Sequence, residues 1–146
     1  MANKLVTVGS VPTYNVVDED DMASDSASSI PTQQSVKAYA DGIRASVQEL
    51  TVSGAVTAGV NSIELNHASV VVAATIADLS NHPGLLVIKD TSATGTAAHT
   101  VTATAGTFDG TNNVVTLNAL NECIILWIDS AGNGTIIENV GSVALS

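Results

Sequence analysis

Residues 29–50 read SIPTQQSVKAYADGIRASVQEL, and they are the only segment of the chain with a sustained helical period. Apolar side chains recur there at steps of three and four residues, a spacing that places them on one side of a helix. Pro31 disfavours helix at the residue before it, and Thr32 then suits the N-cap. The sequence therefore predicts an amphipathic helix over residues 30–50, with an apolar stripe that has to be buried. The stripe comprises Val36, Tyr39, Ile43, Val47 and Leu50.

The stripe needs a partner, because a helix of this length with Gly42 in its middle does not stand alone in water. One candidate is the chain's own β-structure, inside a monomer. The other is a set of identical helices around an axis, which the seven-residue spacing of Val36, Ile43 and Leu50 favours. We predict a homotrimer with the stripe as its interface, and packing within a monomer is the alternative.

The residues before the helix, 1–29, are interpreted as an extended arm. Its apolar residues alternate loosely and are interrupted by Gly9 and Pro12. A segment of this kind gains order only by adding to another surface or to a sheet edge. We therefore predict a docking arm or a first strand, whose contact residues are Leu5, Val6, Val8, Val11 and Tyr14.

An acidic run lies within the arm, at residues 18–25. It carries five carboxylates and no basic residue, and like charges at this density repel one another and remain solvated. A calcium loop is the alternative, since clustered carboxylates suit a hard cation. However, Met22 and Ala23 stand where an EF-hand loop needs an oxygen ligand and a glycine. The run is interpreted as a solvated linker or as a patch that faces a basic partner, with no metal and no cofactor.

The composition restricts the classes of partner. The 146 residues include fourteen acidic and four basic ones, for a formal net charge of −10, which argues against nucleic acid as a partner. Aromatic residues make up only 3 % of the chain, so we expect contacts between subunits to complete a thin core. The first residues lack the apolar run of a signal peptide, and no stretch has membrane-spanning length. We therefore expect a protein that is made and used without an export signal of its own and that does not use a membrane. With one cysteine, the chain forms no internal disulfide.

After the helix the periodicity changes, and residues 51–146 predict short strands separated by turns. Hairpins are expected where residues 109–113 and 130–134 connect apolar runs. The prediction is a mainly β fold, a compact antiparallel β-sandwich or barrel. Trp127 lies within an apolar strand and is expected in the core, whereas Phe108 precedes an Asp-Gly turn and is expected to be an exposed aromatic residue.

Two parts of the sequence resemble virion proteins of tailed bacteriophages. Residues 18–26, followed by residues 30–39, are similar to a module that recurs in tail fibres and in small head-fibre or head-decoration proteins. Residues 106–113 and 132–141 are similar to the closing β-hairpins of small phage fibre and head-decoration domains. The resemblance implies a homotrimer with a compact β-domain displayed outward and an N-terminal part that anchors it. The chain has no internal repeat of the kind that builds a long fibre shaft.

No constellation of residues in the sequence indicates an enzyme. The histidines His67, His82 and His99 show none of the paired spacings of metal ligands, and each is expected at a turn or on the surface. The sequence has neither a Gly-x-Ser-x-Gly elbow nor a glycine-rich loop with a lysine for phosphate. We therefore predict a protein without catalytic residues.

The leading functional hypothesis is a structural virion protein, a trimeric capsid-decoration protein of the cement or head-fibre type. In this hypothesis the arm and the helix dock on the phage head, against the major capsid protein or another virion protein, and the β-domain lies on the outer surface of the virion. The alternative is a short tail fibre whose β-domain binds a receptor or a host glycan. A third class is a host-side carbohydrate-binding domain. The absence of a shaft favours the head over the tail, and the scarcity of aromatic residues for sugar stacking predicts weak glycan binding at most.

Overall fold

The computed structural model describes residues 5–6, 14–17, 29–42 and 46–146. The chain divides into two compact units, Met1–Arg44 and Ala45–Ser146. Among the described residues, the first unit holds three short strands and one helix, and the second holds ten strands and a 3-10 helix.

The first unit combines a three-stranded sheet with a helix. Its strands are β1 (Leu5–Val6), β2 (Tyr14–Val17) and β3 (Ser29–Pro31). The middle strand, β2, is antiparallel to β1 and parallel to β3. Helix α1 (Gln33–Gly42) follows. The Oγ1 atom of Thr32 accepts a hydrogen bond from the backbone N–H of Ser35 at 3.0 Å, which confirms the predicted N-cap.

The helix is shorter than the sequence predicts. It ends at Gly42, whereas residues 47–50 form strand β4 (Val47–Leu50). The prediction of a helix over residues 30–50 is therefore wrong at both ends, because Ile30 and Pro31 belong to β3 and residues 47–50 belong to β4. The competing interaction is strand pairing, because β4 runs parallel to residues 62–65 and Leu50 thereby enters the core beside Leu65.

The second unit, which we call the β-domain, consists of two five-stranded sheets packed together. After β4, its strands are β5 (Gly54–Ala55), β6 (Ser62–Leu65), β7 (Ala73–Ile76), β8 (Gly84–Asp90), β9 (His99–Ala103), β10 (Val114–Leu117), β11 (Cys123–Ile128), β12 (Gly134–Val140) and β13 (Ala144–Leu145). Sheet I has the strand order β12-β11-β8-β6-β4, and sheet II has the order β13-β10-β9-β7-β5. The 3-10 helix, Leu79–Asn81, lies between β7 and β8.

The chain crosses from one sheet to the other with each strand from β4 to β9. As a result, neighbouring strands in this half are parallel: β6 pairs with β4 and β8 in sheet I, and β7 pairs with β5 and β9 in sheet II. The arrangement resembles three coils of a two-sheeted solenoid. The remaining pairs are antiparallel and include the β9–β10 and β11–β12 hairpins.

The prediction of a mainly β fold is confirmed, and both hairpins expected from residues 109–113 and 130–134 are present. Of the two predicted forms, the two packed sheets agree with the sandwich, and in the described residues they do not close into a barrel. The prediction of antiparallel pairing throughout is wrong, because both sheets are mixed. Small and polar residues connect hairpin strands and also fill crossovers between sheets, as in residues 91–98. The sequence alone therefore does not distinguish the two kinds of connection.

The core lies between the two sheets and is aliphatic apart from one ring. Alternate residues of each strand point inward, so that Ile124, Leu126 and Ile128 of β11 are all buried. Phe108 is also fully buried and packs in this core. Its backbone N–H donates to the carbonyl oxygen of Asn112 at 2.7 Å, which holds the loop closed. The prediction that Phe108 is exposed at a turn is therefore wrong.

Candidate interaction surface

The outer side of sheet I carries large apolar side chains that are open to solvent. On β11, Trp127 is 55 % exposed, and its register partner on β8, Leu85, is 50 % exposed. Strand alternation explains both positions, because Leu126 and Leu86 point into the core and the residues beside them point outward. The prediction of Trp127 as a core residue is therefore wrong. Its side chain lies on the same side as that of Ile125, as expected, but that side is the outer one.

The outer-side residues of sheet I line up across the strands, and those of the inner strands are half-buried. Ile125 lies opposite Val87, and Val87 lies beside Ser62. Ser62 in turn lies beside Val47, which is 59 % exposed. The row is apolar at three of these four positions. We call the outer-side residues Val47, Leu85, Val87, Ile125 and Trp127 the apolar face.

A charged row borders the apolar face. Glu49 lies beside Glu64, and Glu64 lies beside Lys89, in the register of β4, β6 and β8. Lys89 is the only basic residue in positions 45–146. The β-domain therefore presents its one positive side chain on the same side of sheet I as its exposed tryptophan.

Strand β12 extends the exposed apolar surface to the edge of sheet I. It pairs with β11 on one side, and among the described residues no strand pairs with its other side. Ile137 and Val140 on this strand are both exposed. Natural proteins usually protect a long edge strand of this kind, because it can pair with another chain. The apolar face and the β12 edge together form the candidate interaction surface.

Two aspartates elsewhere in the β-domain hold turns in place. Asp109 accepts hydrogen bonds from the backbone N–H groups of Thr111 and Asn112, at 3.0 and 2.7 Å. The backbone and side-chain bonds from Asn112 lower the pKa of Asp109. Asp129 is held in the same way, and the side-chain and backbone bonds from Asn133 lower its pKa. Both carboxylates thus serve the hairpin loops that contain them.

Glu122 is a buried carboxylate that joins two segments of the β-domain. Its Oε2 atom accepts from the backbone N–H groups of Asn118 and Ala119, at 2.6 and 3.0 Å. Its Oε1 atom accepts from the backbone N–H and the hydroxyl of Ser142, at 2.8 and 2.7 Å. Burial by itself raises the pKa of Glu122, but these bonds, led by the one from the Ser142 hydroxyl, outweigh burial and lower it. The side chain acts as a clamp between the β10–β11 turn and the segment before β13.

Asp90 and His99 form a second buried pair. The Nδ1 atom of His99 accepts from the backbone N–H of Val72 at 3.0 Å, so the neutral ring carries its proton on Nε2. This Nε2 atom is 3.9 Å from Oδ1 of Asp90, too far for a hydrogen bond. The Nε2 atom of His99 and the Oδ2 atom of Asp90 have no hydrogen-bond partner, and both side chains are fully buried. The pair is sealed from solvent, so no substrate reaches it in the folded domain.

The histidines differ from the expectation of turn or surface positions. His82 follows the 3-10 helix but is buried, with its Nδ1 atom hydrogen-bonded to the carbonyl oxygen of Val60. His99 is buried at the start of β9, and only His67 is partly exposed. Across the described ranges, no cluster of three or more His, Cys, Asp and Glu residues is placed to hold a metal ion. None of the helical segments in those ranges has the length and apolar character needed to cross a membrane.

The residues predicted for a helical trimer interface do not form one stripe. Val36 and Tyr39 lie on α1, and Val36 is half-exposed. Leu50 lies in the core of the β-domain, and Val47 belongs to the apolar face. Ile43 lies outside the described residues. The prediction that these residues form a single surface of one helix is therefore wrong.

The residues predicted for the docking arm are only partly described. Leu5 and Val6 form β1, and Tyr14 begins β2. Val8 and Val11 lie outside the described residues. Docking by this arm stays a prediction.

The exposed tryptophan and its neighbours were not expected from the sequence. The signal that identifies them is the series Leu85, Val87 and Lys89, in which every second residue shares one side of a strand. A lysine in such a series marks that side as the outer one, because lysine is rarely buried without a partner. The pairing of β8 with β11 then places Trp127 on the same side.

Comparison with known proteins gives no relative: no protein-family model, no curated protein and no solved structure matches the chain.

Proposed function

We propose that this chain is a structural virion protein of a tailed bacteriophage, a homotrimeric capsid-decoration protein that docks on the outer surface of the phage head and stabilises it. The observation that carries the proposal is the candidate interaction surface, on which Trp127, Leu85 and Val47 are each half-exposed or more. Contiguous apolar surface on a small domain marks a site of protein contact. The resemblance of residues 18–39 to phage virion modules suggests the assembly in which that contact is made.

The ionisable groups of the β-domain support a structural role. The carboxylate of Glu122 accepts hydrogen bonds from two segments and joins them. The carboxylates of Asp109 and Asp129 accept hydrogen bonds from the loops that contain them. Asp90 and His99 are enclosed in the core. In the part of the chain that the structure describes, these groups stabilise the fold, and we assign none of them to a reaction.

The proposed mechanism is reinforcement by multivalent binding. Three arms dock on neighbouring subunits of the major capsid protein or on another virion protein. Attachment of one arm raises the effective concentration of the other two, so weak individual contacts give stable attachment. The trimer then holds adjacent capsid subunits together. In this proposal the protein is made in the host cytoplasm and joins the outer surface of the particle.

A short tail fibre with a receptor- or glycan-binding β-domain is the second candidate. The exposed ring of Trp127 favours it, since aromatic faces stack on sugar rings. A sugar site also needs several convergent polar groups. The register neighbours of Trp127 are Leu85 on one side and Thr135 on the other, so only one of the two is polar. We therefore place protein contact before glycan binding.

The proposal is tested on particles that lack the protein. Decoration predicts that these particles survive heat or osmotic shock less well, while their adsorption to host cells stays normal. Normal survival together with lost adsorption would refute decoration and support the tail fibre. Imaging of the intact virion, at a resolution that locates the chain on head or tail, gives an independent answer.

The anchoring role of the arm needs a separate test. The full-length protein, added back to particles that lack it, should restore survival. A protein without residues 1–28 should remain folded and soluble but should not attach, because the arm carries the docking residues. Full decoration by the truncated protein would show that another part of the chain is the anchor.

A further inference from the structure

One end of the β-domain is built from five connections between strands. In sheet I, β4, β6 and β8 run toward this end, and β11, which is antiparallel to β8, starts from it. In sheet II, β7 and β9 start from the same end, and β10 runs back to it. We call this end the tip. Its connections are residues 51–53, 66–72, 91–98, 118–122 and 141–143.

Hydrogen bonds and close packing join the first four tip connections into one surface. In the first connection, the Oγ atom of Ser53 accepts from the backbone N–H of Ala73, which directly follows the second connection, at 2.9 Å. In the third connection, the hydroxyl of Thr94 donates to the carbonyl oxygen of Ala68 in the second. Gly95 lies so close to the fourth connection that a Cβ would stand 2.2 Å from a backbone nitrogen there. The tip is therefore continuous across both sheets.

The tip exposes four large apolar side chains. Val52 is 71 % exposed, and Val70, Val71 and Leu120 are each about half exposed. They come from three of the joined connections, so they belong to the same continuous surface. An exposed apolar surface of this kind marks a site of protein contact.

The five connections of the tip expose no charged side chain, although the chain has a formal net charge of −10. Their ionisable residues are Glu122 and His67. Glu122 is buried and accepts hydrogen bonds from within the domain. The Nδ1 atom of His67 accepts from the backbone N–H groups of Ser69 and Val70, at 3.2 and 2.9 Å, so the ring is neutral. Depletion of charge is typical of the centre of a protein interface.

The charges of the β-domain lie on its other surfaces. Glu49 borders the tip, since its Oε1 atom accepts from the Nδ2 atom of Asn66 at 2.6 Å, but it belongs to the charged row on sheet I. Asp78, Asp109 and Asp129 lie in connections at the opposite end of the strands, which we call the acidic end. The β-domain is therefore polarised along its strands, from an acidic end to an uncharged tip.

The chain enters the β-domain at the acidic end. The carbonyl oxygen of Ser46, directly before β4, accepts from the backbone N–H groups of Asn61 and Ser62 at the start of β6. The connection to the first unit therefore leaves the β-domain at the end opposite the tip.

We propose that copies of this chain meet tip to tip, with the valines and the leucine of each tip packed against the tips of the other copies. Two tips can approach without bringing carboxylates together, whereas contact at the acidic end would bring like charges together. The choice of the tip follows from exposure and charge, and the number of three copies rests on the proposed function.

A second copy fits the tip better than a charged partner does. A basic partner is attracted to the acidic end, and at the tip its charges would be buried without counter-charges. Another copy brings an uncharged apolar surface of the same kind. When three tips meet around an axis, the connections to the first units start at the outer ends of the copies. The arms of a trimer can then reach different capsid subunits, as the proposed function requires, and sheet I stays open for the virion partner.

The first test uses two valines of equal exposure. Val70, on the tip, is 58 % exposed, and Val47, on the apolar face, is 59 % exposed. In sedimentation equilibrium at micromolar concentration, wild type and Val47→Asp should show three times the 14.7 kDa chain mass, and Val70→Asp should show the chain mass alone. Circular dichroism and melting report whether each variant is folded, and Val52→Asp repeats the test at a second tip connection.

Two results of this test overturn the proposal. One is a wild type that is monomeric, and the other is a folded Val70→Asp or Val52→Asp protein that keeps the wild-type mass. A wild-type mass of two chains that falls to one chain in Val70→Asp supports the tip contact and refutes the number three.

The second test links the tips covalently. Cys123, the only cysteine of the chain, is first replaced by Ser, and Val70→Cys or Val71→Cys is added. Under mild oxidation with diamide, disulfide-linked dimers should form in both variants. In a trimer with one cysteine per chain, at most two of the three chains become linked. Val47→Cys in the same background is the control and should stay unlinked. If neither tip variant links faster than this control, the tips do not meet and the proposal is overturned.

These measurements use purified protein, so they separate this inference from the proposed function. A chain that assembles through its tip but is absent from virions supports the tip contact and refutes decoration. A chain that decorates particles while folded Val70→Asp remains fully trimeric refutes the tip contact and leaves decoration in place.

Discussion

Replacing Glu122 by Gln tests whether one buried carboxylate clamps the β10–β11 turn to the segment before β13. The substitution keeps the shape of the side chain but turns one of its oxygens into an NH2 group. Turned toward Asn118 and Ala119, this group faces two backbone N–H donors and leaves both unpaired. Turned toward Ser142, it finds a hydroxyl that can rotate to accept, but the backbone N–H of Ser142 loses its acceptor. An unpaired buried donor costs about 1–3 kcal/mol. The hydrogen bonds that remain are also weaker, because their acceptor is a neutral amide oxygen and no longer an ionised carboxylate. We therefore expect a loss of about 2–4 kcal/mol in the free energy of unfolding.

Thermal and urea denaturation, followed by circular dichroism at neutral pH, measure this loss. For a domain of this size, the expected change lowers the melting temperature by roughly 10 °C. Glu138→Gln is the matched control, because it makes the same chemical change at an exposed position on β12 and should leave the melting temperature within about 2 °C of wild type. If the Glu122→Gln variant also melts within that interval, the clamp contributes little and the argument from its four hydrogen bonds is refuted.

The same variant has a characteristic pH dependence. The hydrogen bonds hold the pKa of Glu122 in the folded protein below its value in the unfolded chain. Its stabilising contribution is therefore complete above the unfolded pKa and is lost as the pH falls through the folded pKa. The stability difference between wild type and Glu122→Gln should shrink on acidification from about pH 5 toward about pH 2. A difference that stays constant over this range would show that the ionised carboxylate is not its source.

The remaining predictions concern the core, a loop and the edge strand β4. Phe108→Ala should lower the free energy of unfolding by about 3–5 kcal/mol in urea denaturation, because the ring is fully buried; a loss below about 1 kcal/mol would place the ring outside the core. Gly106→Ala should lower the melting temperature more than Gly110→Ala does. Both glycines have a positive φ, +88° and +85°, but a Cβ at position 106 would lie 2.4 Å from a backbone oxygen, whereas position 110 is open. Equal melting temperatures would contradict that clash. Leu50→Asp should unfold the β-domain and Val47→Asp should leave its circular dichroism unchanged, since Leu50 is buried and Val47 is exposed. A folded Leu50→Asp protein together with an unfolded Val47→Asp protein would contradict these positions.

The local parts of the fold could be predicted from the sequence. Turn residues 109–113 and 130–134 join strands that pair with each other, so local chemistry is sufficient to identify these hairpins. The parallel half could not be predicted in this way. The partner of β4 is β6, and the strand between them in sequence belongs to the other sheet. Pairing of this kind depends on long-range contacts that leave no local pattern. The same contacts draw residues 47–50 out of the predicted helix.

The sequence predicts which residues of the candidate surface share one side of a strand, but it does not predict whether that side faces solvent or the core. Alternation correctly groups Trp127 with Ile125, but it does not say which side of a strand faces the core. The choice is made by the neighbouring strand, where Lys89 shares a side with Leu85. Phe108 shows the converse error. It follows a strand and precedes a turn, yet the closed loop that carries it places the ring in the core.

The passage of the chain between the two sheets, from β4 to β9, gives the β-domain a direction of growth. Each coil adds one strand to each sheet, and β4 and β5 end the two sheets on the same side of the stack. Duplication of a coil would widen both sheets by one strand and leave the hairpins at the other end unchanged. The outer side of sheet I would widen by the same step. A lineage of such chains could therefore change the breadth of its contact surface by gaining or losing coils, without redesigning the core of those that remain.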